Sequence, residues 1–348
     1  MQPANRKGGA TEPLAKSMID GRLRVPTVFA HEAVYSISSM IRILGTIFAG
    51  LLGLAFGSFL NVCLSRWPEG ESIVQPRSHC RQCGRTLTWW ENVPLVSWLA
   101  LRGRCRTCHA WIGWRYPLVE LAVGVLWAVP AWQFLYEFFW PYFPSRLSFF
   151  QSCVYYDLAK AVGMAAFYWL LIALAVLDAE HLWLPNFLTL PGIAAGFLLL
   201  AFGYEGAVEL DSFTRSVPYS FPYSHWGQWI APSMHLLSIL VAAGLILLIR
   251  WLYWLFRHRE GIGLGDAKLM ALLAAWLGLP GALLAFGIGV MLGALAAVVL
   301  LAVPSARRGS ESWAMSKLPF GTFLCIGGIV SSLWGQPILA AYLSWAGF

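Results

Sequence analysis

A chain of 348 residues in which 58% are hydrophobic and only 12% charged is not built like a soluble globular domain, where about a quarter of residues carry charge. With a mean hydropathy of +0.63 it reads as an all-α polytopic membrane protein. The net charge of +7 does not call for nucleic acid, because basic loops kept on the cytoplasmic side of a membrane produce the same balance.

Residues 1–40 are polar and mixed, carry Arg6, Lys7, Lys16, Arg22 and Arg24, and show no helical period. They lack the order of a signal peptide and are expected to be a disordered or non-native extension, with Met40 standing just ahead of the first span. Residues 41–65 hold that span, uncharged from Ile43 to Ser65 and long enough for ~30 Å of hydrocarbon. A polar segment, 66–115, follows with Arg66, Arg77, Arg81, Arg85, Arg102, Arg104, Arg106 and Arg115 against Glu69, Glu71 and Glu91. The second span opens at Pro117, a residue suited to a first helical turn. Its acid Glu120 lies where the helix dipole favours it, and the span ends near Leu135.

A polar loop is expected at 136–160, a third span at Ala161–Leu177, and a fourth at Phe187–Gly203 after a turn with Pro185 and Asn186. The loop 204–234 is acidic; the fifth span is Leu236–Phe256, closed by Arg257, His258 and Arg259. No charge occurs from Leu269 to Pro304, too long for one helix, so Gly278-Leu279-Pro280 is the expected break. It separates a sixth span from Gly263 and a seventh to Val303. An eighth runs from Pro319 to Trp334, and the apolar tail is expected at the interface. The basic loops 66–115, 257–261 and 305–317 belong in the cytoplasm by the positive-inside rule. Alternation then sets the N-terminus outside despite its basic residues.

Two ionisable residues stand at the mouths of apolar runs, where charge is costly and marks function by default. Asp266 follows Gly261, Gly263 and Gly265, and Asp178 ends the third span. Two crossings separate them, so both lie at one membrane face. A carboxylate pair cannot ionise twice cheaply, so one member holds a proton while the other acts as base, a suitable arrangement for activating water against a peptide carbonyl. The same acids also suit a membrane transporter or proton relay, and Lys268 is near enough in sequence to pair with Asp266.

Cys80-Arg-Gln-Cys83 and Cys105-Arg-Thr-Cys108 form two Cys-x-x-Cys knuckles with 21 residues between them. Four thiolates close a tetrahedral structural zinc site, and a reducing cytoplasm argues against disulfides. Redox-active thiols are the alternative. His79 and His109 flank the knuckles as possible substitutes. Trp89-Trp90 and the arginines offer a surface for an acidic or lipid-linked partner, or simply solvate the loop at anionic lipid. Cys63, Cys153 and Cys325 read as inert apolar-segment residues.

Leu177-Asp-Ala-Glu-His-Leu-Trp-Leu-Pro-Asn-Phe-Leu-Thr-Leu-Pro191 and Glu260-Gly-Ile-Gly-Leu-Gly-Asp-Ala-Lys-Leu269 resemble the two signatures of type IV prepilin peptidases, the Gly-x-Gly-Asp type of membrane aspartic peptidase. Gly57–Pro68, Asn92–Trp98, Arg115–Leu121 and Leu318–Leu324 match further family stretches, and the likeness covers roughly residues 43 to 335. The resemblance implies about eight transmembrane helices, with a cytoplasmic zinc loop at 66–115 and a membrane peptidase domain at 116–348. It makes Asp178 and Asp266 the catalytic acids and the four knuckle cysteines the zinc ligands. The implied substrates are prepilins or pseudopilins with a short basic leader, a glycine before the cut and a hydrophobic helix after it. Cleavage is implied at the cytoplasmic face of the inner membrane, in contact with its lipids, followed by N-methylation of the new terminus with S-adenosylmethionine. Methylation rests on resemblance alone, since no strand–Gly-x-Gly-x-x-Gly–helix unit for a nucleoside occurs. The chain departs from the family at Asn186 and Glu180, where aspartates are usual. The glycines before Asp266 are expected to let an extended substrate peptide approach closely.

Overall fold

In the computed structural model the described residues are 27–139, 150–202, 227–258, 263–302 and 318–347. They form an all-helical membrane protein. In chain order the helices are α1 (Thr27–Arg66), α2 (Val96–Ala100), α3 (Arg115–Phe139), α4 (Phe150–His181), α5 (Asn186–Phe202), α6 (Gly227–Arg257), α7 (Leu264–Ala302) and α8 (Phe320–Ala346), with a 3-10 turn at Trp89–Asn92. Among the described residues six helices are long and apolar enough to cross a membrane, and a shorter apolar one covers Asn186–Leu200.

These bounds revise several expectations. The first helix starts at Thr27, so residues 27–40 are helical; Pro26 precedes that start, and no Gly or Pro interrupts the chain before Gly45. Residues 1–26 lie outside the description. The expected loop 136–160 shrinks from both sides as α3 runs to Phe139 and α4 begins at Phe150. The tail expected at the interface continues α8 to Ala346. Each of the eight expected spans has a counterpart among these helices. The fourth is α5, described over 17 residues. The sixth and seventh both lie in α7, divided at Gly278 as expected, where φ of 68° and ψ of 175° lie in a region open to glycine. The basic stretches within 259–262 and 303–317, and most of the outer loops, fall outside the described residues.

α1 packs along α3, and α7 packs on both α6 and α8, while α4 touches α3, α5 and α8. The α1–α3 contact is close because a side chain at Gly57 would stand 2.7 Å from the Glu120 Cα; small residues allow such approach between membrane helices. The largest core joins Phe167, Leu171 and Leu174 of α4 to Leu269, Leu272 and Leu273 of α7 and Leu324 of α8, all fully buried. A second core joins Leu60 and Leu64 of α1 to Val123 of α3 and Leu177 of α4. Asp178 follows Leu177 directly, so one core ends where the first acid begins.

The segment from 67 to 114 leaves and re-enters the membrane helices through four ties. Arg66, buried, donates to the carbonyl oxygens of Ser72 (2.8 Å) and Pro76 (2.5 Å). The Asn61 amide donates to the Tyr116 carbonyl at 2.9 Å. Glu120 accepts the Leu95 N–H at 2.8 Å. Arg115 donates to Ser65 Oγ at 2.9 Å and pairs with Glu180 at 2.6 Å.

Candidate active site

Asp178 lies in the last turn of α4, and its carbonyl accepts the Leu182 N–H at 2.9 Å. Its carboxylate meets the start of α8. Asp178 Oδ2 accepts the Thr322 backbone N–H at 2.7 Å and lies 3.2 Å from the Thr322 hydroxyl, which is also 2.9 Å from the Ala175 carbonyl. Gly321 allows this approach, since a side chain there would come within 2.9 Å of the Asp178 Cγ. Asp266 occupies the first turn of α7, and its Oδ2 accepts the Gly263 N–H at 3.2 Å. Each acid therefore sits at a helix N-terminus, Asp266 at that of its own helix and Asp178 at that of α8. Free amides and the helix dipole favour negative charge there.

The two acids are 6% and 9% exposed, and they are electrostatic neighbours of each other and of the wholly buried Cys325. The fold thus brings together two carboxylates 88 positions apart in sequence (266 minus 178). Cys63 and Cys325 are buried, as expected of inert thiols; the side chain of Cys153 lies outside the description. Lys268 turns away from Asp266 and donates to Asn186 Oδ1 at 2.5 Å. Glu180, one of the two departures from the family pattern, is the partner of Arg115. The glycines have separate explanations. Gly265 is filled by Leu184, whose Cδ1 would stand 2.9 Å from an added side chain, whereas Gly263 would meet only the Asp266 carboxylate and local backbone. Close approach to a substrate is left to Gly263; Gly261 is not described.

Thr322 and Gly321 escaped the functional reading of the sequence. They sit in the stretch Leu318–Leu324, whose likeness to the family was visible, but nothing local says that its threonine reaches an acid 144 positions earlier.

The cysteine loop holds the second site. Sγ atoms of Cys80, Cys83, Cys105 and Cys108 all lie within 4.8 Å of one another. Cys80 and Cys108 are 3.7 Å apart, which matches the about 3.8 Å edge of a tetrahedron with Zn–S bonds of about 2.3 Å. The donor set and its spacing fit zinc. The two knuckles are built alike. Cys80 N–H bonds the Arg85 carbonyl and Gly84 N–H the Cys80 carbonyl; Cys105 N–H bonds the Ala110 carbonyl and His109 N–H the Cys105 carbonyl. Gly84 and His109 hold matching left-handed positions, φ 70° and 55°. His109 is thus a turn residue and stands outside the four-thiol cluster. Backbone amides of Cys108 and Thr107 hold the Cys105 thiol down, whereas burial and the neighbouring thiols push that of Cys108 up against the Ala110 amide.

The loop's remaining order comes from aromatics and one acid. Trp98, Trp111 and Trp114 pack with ring centroids 4.5 to 6.0 Å apart, and Trp98 donates to the Ile112 carbonyl. Glu91 accepts from the Thr88 N–H and hydroxyl at 2.8 and 2.7 Å and pairs with Arg85 at 2.5 Å. The Thr88 N–H, helped by that hydroxyl and the guanidinium, holds the Glu91 carboxyl down to about 2 against the opposing effect of burial. Trp89 stays exposed, and Arg106 lies over the Trp90 ring at 5.2 Å.

Residues 51–134 match the bacterial peptidase A24 N-terminal domain, and residues 165–298 match the type IV leader peptidase family. The chain is 33% identical to a prepilin leader peptidase/N-methyltransferase of Pseudomonas aeruginosa, over 86% of its own length and 93% of that protein. It is 32% identical to one of the same name from Stutzerimonas stutzeri, over 85% and 93%. A Myxococcus xanthus protein of that name is 36% identical over 76% of this chain and 66% of its own length. No solved structure matches. Nothing in these matches favours a transporter. With two family domains in sequence order and relatives matched over most of both chains, this protein belongs to the type IV leader peptidase family.

Proposed function

We propose that this protein cleaves the leader peptide of type IV prepilins or pseudopilins and N-methylates the residue so exposed. The family and the shared name of its relatives support both activities. The observation that carries the cleavage is the buried pair Asp178 and Asp266, held at two helix N-termini and in each other's field. Such a pair shares one proton. One carboxylate takes a proton from water as it attacks the peptide carbonyl, and the other, protonated, donates to the carbonyl oxygen. Asp178→Asn and Asp266→Asn, tested separately on a co-expressed prepilin, are each expected to lower cleavage by at least about a thousandfold. Leader removal at near the wild-type rate after either change sinks the assignment.

Cys80, Cys83, Cys105 and Cys108 hold a structural zinc ion in this reading, leaving no coordination position for substrate. The basic loop around them supports placement of the acids at the cytoplasmic face of a bacterial inner membrane, where the reducing compartment keeps the thiols available. S-adenosylmethionine is the implied methyl donor. The described residues form no strand that could carry its nucleoside. Arg115 and Glu180 join the exit of the zinc loop to the helix that carries Asp178.

A further inference from the structure

The two acids are anchored unequally. Asp178 Oδ2 receives the Thr322 N–H at 2.7 Å with the Thr322 hydroxyl at 3.2 Å, and Gly321 is pressed against the same carboxylate. Asp266 has a single backbone N–H, from Gly263, at 3.2 Å. The shorter Thr322 N–H bond favours the charged form of Asp178 more than the longer Gly263 bond favours that of Asp266. The donors belong to the first turn of α8, a helix that points its positive end at this carboxylate. The Thr322 hydroxyl has one proton to give, and its shorter contact is with the Ala175 carbonyl at 2.9 Å, so it ties the same turn to α4 and keeps the Thr322 N–H on the carboxylate.

Resting on the peptidase reading above, we propose that Thr322 is a positioning residue that holds Asp178 as the carboxylate taking the proton from water, leaving Asp266 to carry the proton the pair shares. The water oxygen bonds to the peptide carbonyl carbon as one water proton passes to Asp178, and Asp266 gives its proton to the carbonyl oxygen. When the C–N bond breaks, Asp178 returns its proton to the leaving nitrogen and a hydroxyl proton of the diol goes back to Asp266. One water is consumed, and both acids end as they began.

Purified full-length enzyme in lipid vesicles, acting on a prepilin, tests both parts. Thr322→Val and Thr322→Ala remove the hydroxyl and keep the backbone N–H. Each is expected to lower kcat about tenfold with KM unchanged, and Thr322→Ser to restore it. A wild-type kcat in both variants, a loss carried by KM, or a serine no better than alanine overturns the positioning role. The roles of the acids are read from the two asparagine variants. The side-chain amide introduced by Asp266→Asn still has an N–H to donate to the carbonyl oxygen, whereas the amide introduced by Asp178→Asn cannot take a proton from water. Asp266→Asn is therefore expected to retain about tenfold more residual cleavage than Asp178→Asn. Equal residual activity, or the reverse order, overturns the assignment. Wild-type enzyme that cuts no prepilin would instead remove the peptidase reading on which it rests.

Discussion

Gly321 and Asp178 leave no room between them for a methyl group, with 2.9 Å from a hypothetical Cβ to both Cγ and Oδ2. Gly321→Ala is therefore expected to push α8 off the acid and lengthen the Thr322 bonds. A hydrogen bond to a charged group contributes about 1.5–3 kcal/mol, so cleavage should fall roughly 10- to 100-fold in a prepilin assay while the protein still inserts and carries zinc. Unchanged kcat would mean that the helix gives way without cost. At this scale the sequence was readable wherever chemistry conflicts with its surroundings. Asp178 and Asp266 stand out because a membrane penalises them, and the cysteines stand out by spacing. Thr322 does not, because a threonine early in a helix is ordinary and its partner lies on another element. Lys268 and Asn186 show the same limit: proximity in sequence suggested a pair with Asp266, but the first residue of α5 supplies the acceptor.

The cysteine loop is a pair of matched knuckles with a cluster of three tryptophans beside the second. Metal analysis of the purified protein is expected to find about one zinc per chain, and Cys80→Ser or Cys105→Ser to lose it. Glu91 adds a pH-dependent clasp. Its carboxyl is held at about 2 against a usual 4.5, so the folded loop binds fewer protons than the unfolded one between those values. The stabilisation from Glu91 is fully present above about 4.5 and is lost as pH falls through about 2. Zinc also leaves in acid, so the informative measure is the stability difference between wild type and Glu91→Gln, followed by tryptophan emission. That difference is expected to shrink from pH 4.5 towards pH 2, and a constant difference would show that the acid contributes nothing through its charge. The helices were legible from apolar runs, but their ends were not. Thr27–Ser39 mixes apolar and polar residues without a breaker, and α8 runs past Trp334 through a mostly exposed end to Ala346; neither carries a hydropathy signal. The break at Gly278 was visible because glycine and proline there interrupt an unbroken apolar stretch.

For the whole molecule, the loop and the acids share one side through the Ser65–Arg115–Glu180 connection. That joins the topology of the cysteines to that of the active site. A membrane-impermeant thiol reagent, applied after zinc chelation, is expected to label Cys83 and Cys108 in inside-out vesicles and to leave them unlabelled in intact spheroplasts. Labelling in spheroplasts would invert the proposed orientation of the catalytic face as well. The positive-inside pattern suggested this side, and no single residue could have shown that the loop and the acids are joined by one arginine.

The helix α5 begins five residues after His181, at the edge of the catalytic turn. Phe187 and Leu190 in its first turns are exposed and call for hydrocarbon at that level. The depth of the catalytic turn is thereby tied to the lipid surface, and acyl-chain length becomes a control on turnover. Vesicles of 14-carbon and of 20-carbon lipids are expected to support different rates of cleavage with zinc content the same in both, and equal rates would show that the site is indifferent to its depth.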